Sequence, residues 1–579
     1  MNIKNNILAG VCIFIIVLLM PYYWQIIGYE PSTPEQIINS ENNIETINST
    51  PEPPVSTYIK TNENSSNLGQ EKILIVSTNL YQTVISNAGG GSHKDFTVLE
   101  MDQNGYKYLG AYVSRDDSIL YDKSAPVSLL GNNNGTCTPC LGFVNNSVVL
   151  DDNFILTENN SPLIMSNNGA EIFIQKNDSL TIEYEYVSND YDIVKKLTLY
   201  GNSYVINHEF IINKLPSLFN GNYEILWNSG LNPTEVSEYE DVSYGGAYLG
   251  INGDVEYVSQ TNEDIIKKEK FELDAEWMGV RNKYFAMIMV PNTKALFGSL
   301  SSINRDFMNR NLTPSYISSM GFNTVSSPII ETQLYLGPLK IENLDPLHPG
   351  LDQMMNFGWK IIQPISKLVL WFLVFMHTSL NLNYGLVLII FAFIIRVITG
   401  PLIKKSYESS QKMQKIAPDI KIIQEKYKED PQRLQKEMLA LYKKAGANPF
   451  SGCIPMLLQW PILMALFIVF RSTVELRGES FIFWITDLSQ PDYVINLPFH
   501  IPLYGDAIAI LPLFMGVTMF LVMKQSMATM DSSQKPMLYM MNAMFLLIFN
   551  SFPSGLTLYY TVYNVLSYLQ QRSIKIESN

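Results

Sequence analysis

Histidine and cysteine are scarce in this chain, with five and four among 579 residues. His93, His208, His348, His377 and His500 are scattered, so a metal site is not expected. His208-Glu209-Phe210-Ile211-Ile212 opens like a zinc-protease motif but lacks the second histidine. No Gly-x-x-x-x-Gly-Lys-Ser/Thr loop occurs, which excludes a P-loop nucleotidase. No Gly-x-Ser-x-Gly elbow occurs either. The apolar segments contain neither paired aspartates nor a serine with a histidine, as an intramembrane protease would need. The chain therefore reads as a non-enzyme without cofactor. Positive charge is also thin over most of its length. Residues 1–349 hold 20 Lys/Arg against 40 Asp/Glu, and residues 350–579 hold 20 against 14. Its basic residues cluster in one loop, which is not a nucleic-acid profile.

Four cysteines cannot make a disulfide framework. Cys137-Thr138-Pro139-Cys140 follows a Gly/Asn run, so it sits on a loop rather than between the strand and helix of a redox motif. A local disulfide in an oxidising compartment and two free thiols both remain open. Cys12 is preceded by Val11, where a lipidation signal needs Gly or Ala, and reads as a buried membrane thiol.

What is abundant is apolar sequence. Residues 1–24 have a lysine at position 4, an apolar core and a Pro21-Tyr22-Tyr23-Trp24 aromatic end. No small-residue cleavage site follows, so this is an uncleaved transmembrane anchor. Residues 25–71, rich in Pro, Asn, Ser, Thr and Glu, form a flexible tether. Between 72 and 340 short Val/Ile/Tyr/Phe/Thr runs recur between Gly, Asn and Asp, with clear alternation in Ile182-Glu183-Tyr184-Glu185-Tyr186. This predicts a large all-β sandwich domain without internal repeats. Residues 341–383, with Trp359, Lys360 and Lys367 among apolar residues, read as an interfacial helical region. Further spans are expected at 384–403, 448–471, 506–523 and, as a pair, 537–571. Residues 472–505 form an outer loop, 524–536 a cytoplasmic loop and 572–579 a cytoplasmic tail. The whole is a multi-pass α-helical membrane protein of six spans carrying a β domain.

Orientation follows from charge. Residues 404–447 carry 11 Lys/Arg against 6 Asp/Glu and so lie in the cytoplasm. An N-terminus inside puts the β domain outside, and the basic residues Lys524, Lys535, Arg572 and Lys575 then all fall inside. The loop 404–447 is itself helical in composition, with Pro418 interrupting the first arm and Asp430-Pro431 making the turn. A basic helical hairpin is expected, with anionic lipid or a ribosome as partner.

One charge is out of place. Arg396 lies within the apolar stretch 384–403, where a guanidinium costs roughly 2.5–3.5 kcal/mol and stays charged. It is about 10–12 Å from the basic edge at Lys404. It either snorkels to the headgroups or lines a wet cavity between helices. Other polar groups in the spans are Gln459, Asn542, Asn550, Thr557, Tyr559, Tyr560, Tyr563 and Asn564. Each taken alone could be interhelical glue.

The order and spacing of several motifs carry a resemblance. They are Phe393-Ile394-Ile395-Arg396 with Pro401-Leu402; Asn448-Pro449, Gly452-Cys453, Pro455, Gln459 and Pro461; and Val474-Glu475-Leu476-Arg477. Trp484-Ile485, Asp487-Leu488-Ser489, Leu513–Phe520, Phe552-Pro553-Ser554-Gly555-Leu556, Leu558-Tyr559-Tyr560 and Asn564 follow. With these, residues 350–571 resemble the YidC family of bacterial membrane-protein insertases. In the β domain Ser86-Asn87, Gly89-Gly90 and Trp277–Tyr284 fit the form with a large periplasmic domain. The resemblance implies a β-supersandwich without enzymatic role and a five-helix core. It implies a hydrophilic groove open to the cytoplasm and lipid, in which Arg396 has Gln459, Tyr560 and Asn564 as polar neighbours. It implies insertion and chaperoning of inner-membrane proteins, alone or with the SecYEG translocon, with nascent chains, the ribosome and a targeting receptor as partners. Two departures stand out: Ala392 is apolar where some relatives carry a hydroxyl, and Pro491-Asp492 reverses the usual order. The competing reading is a membrane-anchored periplasmic binding protein acting through its β-sandwich. A transporter would show paired halves with broken helices, and these spans do not pair.

Overall fold

The structure is a computed structural model. It describes residues 59–60, 71–102, 105–115, 118–131, 137–143, 148–157, 170–237, 241, 243–259, 267–303, 315–446, 454–501, 504–527 and 535–573. The anchor, nearly all of the tether, Cys12, Cys453 and the end of the tail lie outside these residues. The chain divides into two compact units.

The β unit comprises residues 54–359 together with 471–478. Its largest sheet has nine strands, in the order Ile155–Leu156, Ser179–Val187, Asp192–Tyr200, Val205–Lys214, Ile329–Pro338, Phe285–Pro291, Ala275–Arg281, Gly246–Ile251 and Asp254–Val258. Neighbours pair antiparallel throughout. A seven-stranded sheet, a five-stranded sheet and two two-stranded ribbons make up the rest of the unit's described strands. The sequence dictates this directly. In Ser179–Val187 the inward residues Ile182, Tyr184 and Tyr186 are buried while the glutamates between them face out, the period-2 pattern of a half-buried strand. Glu183 then pairs across the sheet with Lys196 at 3.1 Å. Gly250 has no Cβ because one would lie 2.2 Å from Trp277 Nε1, so the buried indole fills that space.

The motif Trp277–Tyr284 is the end of the strand Ala275–Arg281 and the tight turn that leads into Phe285–Pro291. Asn282 Oδ1 accepts from the N–H groups of Tyr284 and Phe285, and buried Arg281 donates to the carbonyls of Asn282, Lys283 and Met354. Cys137 and Cys140 are bridged, and the bridge is buried against Val149, Leu226 and Ile317.

The same alternation turns Lys195 inward. It is buried between Ile193 and Leu197 and donates to the carbonyls of Gly89 (3.2 Å) and Pro139 (2.7 Å). His93 and His208 lie beside it, their rings 5.6 Å apart. Burial pushes the Lys195 ammonium down to about 7, and burial with the Lys195 charge pushes His93 down to about 3. A base whose folded pKa is depressed binds fewer protons folded than unfolded, so stability rises with pH above the folded value. Stability of the β unit should climb between pH 7 and 9, by at most about 1.4 kcal/mol per pH unit from this group. Lys195→Met should flatten that climb in denaturant titrations of the full chain; an unchanged slope would remove Lys195 as its source.

The helical unit contains α1 (Gln363–Leu380), α2 (Tyr384–Lys415), α3 (Ala417–Lys426), α4 (Pro431–Ala445), α5 (Ile454–Ser472), α6 (Ile510–Met527), α7 (Lys535–Phe549) and α8 (Ser554–Ser573). The helix α2 does not stop at the expected edge. It runs through Pro401 to Lys415, and the break falls at Ile416, where Pro418 opens α3. Asp430 caps α4 by accepting from Arg433 N at 3.1 Å, and Gly446 ends it in the left-handed region. The helix expected from residue 506 begins at Ile510 instead. Residues 505–509 pair with Tyr493–Ile501 as a hairpin, which takes their backbone groups out of the helix. Only Tyr384–Ser406 is long and apolar enough to cross a bilayer by itself among the described residues; Gln459–Ser472, Ile510–Lys524 and Tyr539–Phe549 are shorter apolar helices.

Candidate functional site

Several polar side chains of the helical unit lie along α8 and on the helices α2 and α5 that it meets. Their positions follow from the start of α8. Pro553 ends the preceding turn, and the first helical N–H groups find carbonyls in the loop after α5: Ser554 N donates to Gln490 O (2.8 Å) and Gly555 N to Leu488 O (3.0 Å). Ser554 Oγ donates to Asp487 O at 2.8 Å. Gly555 is required because a Cβ there would lie 2.2 Å from Phe470 on α5. The motif Phe552-Pro553-Ser554-Gly555-Leu556 thus fixes the rotation of α8 about its axis.

With that rotation set, residues four apart share a face. Tyr559 and Tyr563 stack at 5.9 Å and face α2, where Phe391 meets Tyr559 at 5.8 Å. Arg396 lies one turn beyond Phe391. Arg396 is 6 % exposed. Nη1 donates to Tyr563 Oη at 3.5 Å, and the guanidinium carbon sits 5.4 Å from the Tyr563 ring centre, within cation–π range. Nε and Nη2 are buried without a partner, and no described carboxylate pairs with Arg396.

Tyr560 and Asn564 occupy the adjacent face of α8, about 100° around. Tyr560 shares a side-chain hydrogen bond with Gln459 of α5 and packs on Phe549 of α7 at 5.8 Å. Asn564 is buried, with Nδ2 unpartnered. The structure therefore brings Gln459 and Tyr560 together, sets Asn564 one turn away, and gives the direct contact with Arg396 to Tyr563. Tyr563 stood among the polar groups of the apolar segments, but its choice over Tyr560 depends on helix rotation. Thr399 spends its hydroxyl on Ile395 O at 2.7 Å, and Ala392 is fully buried.

Chemically the site is a set of unmet donors. The Nε and Nη2 edge of a guanidinium carries two parallel N–H bonds, the geometry that grips a carboxylate bidentately. Tyr563 occupies the opposite nitrogen and leaves that edge free. No metal-ligand cluster occurs among the described residues.

Residues 375–579 match the family model described as 60Kd inner membrane protein, and residues 120–372 the one described as YidC periplasmic domain. A membrane protein insertase YidC from Chlorobaculum parvum is 39% identical over 386 residues, 65% of this chain and 65% of that protein; the match thus spans just under two-thirds of that relative. One from Chloroherpeton thalassium is 31% identical over 520 residues, 87% of this chain and 83% of that protein. A crystal structure of an active YidC insertase with its first transmembrane domain resolved covers 88% of this chain and 94% of its own at 18% identity, with a TM-score of 0.34, too low to carry an argument. The two family models follow one another along the chain in the order of its β and helical parts, and the longer alignment runs through both: this chain belongs to the YidC family of membrane protein insertases.

Proposed function

We propose that the protein inserts and helps fold integral proteins of the bacterial inner membrane, using the donors around Arg396 as a docking point for polar parts of the client. The observation that carries this is the buried Arg396 guanidinium with its Nε and Nη2 edge unpaired. A buried, uncompensated charge costs several kcal/mol, and a family of insertases gives that cost a purpose. Arg396 is twelve residues into α2, so only about 18 Å of the roughly 30 Å hydrocarbon separates it from the N-terminal end of that helix. A client acidic tail attracted to Arg396 therefore has a shortened apolar path left to cross. The client's own apolar helix then leaves sideways into lipid, and its burial supplies the free energy at about 25 cal/mol per Å². No nucleotide enters the scheme.

In this reading the five-helix core is α2, α5, α6, α7 and α8, and residues 1–24 add a sixth span. Both termini lie in the cytoplasm and the β unit in the periplasm. The charge pattern supports this: Lys404, Lys405 and the basic arms α3 and α4 fall on one side. The exposed lysines of α3 and α4 would meet anionic lipid, a ribosome or a targeting receptor, and the SecYEG translocon would share larger clients.

The experiment is reconstitution. The purified full chain in phosphatidylethanolamine/phosphatidylglycerol liposomes, without nucleotide, should make a short acid-tailed client resistant to external protease. Equal protection in protein-free liposomes would refute the reading.

A further inference from the structure

The hairpin of Tyr493–Ile501 with Gly505–Ala509 is exposed in an unusual way. Its first strand shows no inside and outside: Val494 (49 %), Ile495 (56 %) and Phe499 (59 %) are all open. A two-stranded ribbon is marginal in water by itself, and contiguous exposed apolar surface marks a contact. Residues 493–509 carry one carboxylate, Asp506, and one histidine, His500.

The ribbon is nevertheless held firmly. Asn550 Nδ2 donates to the carbonyls of Tyr504 and Ala507, both at 2.7 Å, and its Oδ1 accepts from Ala509 N at 2.9 Å. Asp492 Oδ2 accepts from Trp484 Nε1 and from Leu511 N, both at 2.8 Å, tying the ribbon's root to the start of α6. Beside it Phe483 is 87 % exposed with φ 57°, a left-handed backbone that a phenylalanine adopts only at a cost. Phe483 stacks on Trp484 at 5.9 Å, and Trp484 on Phe514 of α6 at 6.5 Å. Phe514 lies on an exposed, apolar face of α6. The aromatic run is thus continuous with the exposed apolar side of α6, a helix assigned above to the membrane core.

We propose that the ribbon 493–509, with Phe483 beside it, is an interfacial wedge seated in the headgroup layer of the leaflet around the N-terminal end of α6. This rests on the reading that α6 crosses a bilayer. The depth follows from the backbone. A two-stranded ribbon leaves outward N–H and C=O groups unpaired, each costing several kcal/mol in hydrocarbon. Water and headgroups satisfy those groups, while the aromatic and aliphatic side chains reach the upper acyl region. The ribbon therefore neither spans the bilayer nor leaves it.

The test uses the full chain with Cys12→Ser and Cys453→Ser, carrying a nitroxide on Val494→Cys or on Phe499→Cys. It is purified into phosphatidylethanolamine/phosphatidylglycerol vesicles without other protein. Reference labels at Val517 on α6 (60 % exposed) and at Val325 on the β unit (91 % exposed) report lipid and water. Both ribbon labels should collide with oxygen more than with a water-soluble nickel chelate, a preference shifted from the Val325 value toward that of Val517. Ribbon labels as open to nickel as Val325, with Val517 shielded, would overturn the wedge alone and point to a protein partner. A nickel-accessible Val517 would overturn the wedge together with the spanning reading.

Discussion

Insertion of a short acid-tailed client should fall at least about tenfold when Arg396 is replaced by methionine. A carboxylate 4 Å from a guanidinium gains about 4 kcal/mol at an effective dielectric near 20, and a loss of 1.4 kcal/mol is already tenfold. Arg396→Lys should retain a measurable part, since it keeps the charge but loses the two-pronged edge. The same methionine variant should melt no lower than the parent, because it removes a buried guanidinium with two unpartnered nitrogens and keeps most of its volume. Insertion yield in liposomes and thermal unfolding in detergent read the two effects separately. Loss of both together would mean that Arg396 is structural.

The second large effect lies in the β unit. The strap 471–478 leaves α5 and belongs to that unit, with Val474 and Leu476 buried. Arg477 Nε meets Glu235 Oε1 at 2.6 Å, with side chains 4 % and 5 % exposed, and Nη2 donates to Thr234 O at 2.8 Å. Nearby Asp241 is raised to about 6 by burial and by the Glu235 charge. Removing one partner of such a pair strands the other, at about 3–5 kcal/mol. Arg477→Ala should therefore lower the stability of the β unit by that amount, measured by hydrogen exchange on strands of the unit in the full chain. Arg477→Leu combined with Glu235→Leu should recover most of the loss, because apolar replacement of a whole buried pair is often near neutral. A double variant as unstable as the single would show that Arg477 acts through Thr234 rather than through the carboxylate.

These cases also show what a single sequence carries. The alternation of Ile182, Tyr184 and Tyr186 is a local signal, and it reads correctly because a strand repeats every two residues. Extending that count to Asp192–Tyr200 puts Lys195 on the buried face with Ile193 and Leu197, so its burial is written in the same local pattern. Asp430-Pro431 and Pro418 were legible for the same reason, since caps and helix breaks depend on neighbours in the chain. Arg396 was legible as a charge in an apolar run. Its partner was not: Tyr559, Tyr560, Tyr563 and Asn564 fall on two faces of α8, and only packing against α2 selects Tyr563. The hairpin at 493–509 was hidden because Pro498 breaks the alternation and residues 506–509 read as the start of a helix. The strap at 474–477 was visible as a motif, but its Arg477–Glu235 pair joins residues 242 apart in sequence, beyond any local pattern.

Photocrosslinking during synthesis of a short membrane protein tests the central claim most directly, with probes at Gln459, Tyr563 and Asn564 and a reference probe at Val517 on the exposed face of α6. The account predicts crosslinks to the nascent span from the first three positions, above those from Val517. Crosslinks from exposed β-unit positions such as Leu218, with none from the three helical sites, would contradict it and return Arg396 to a residue that merely snorkels.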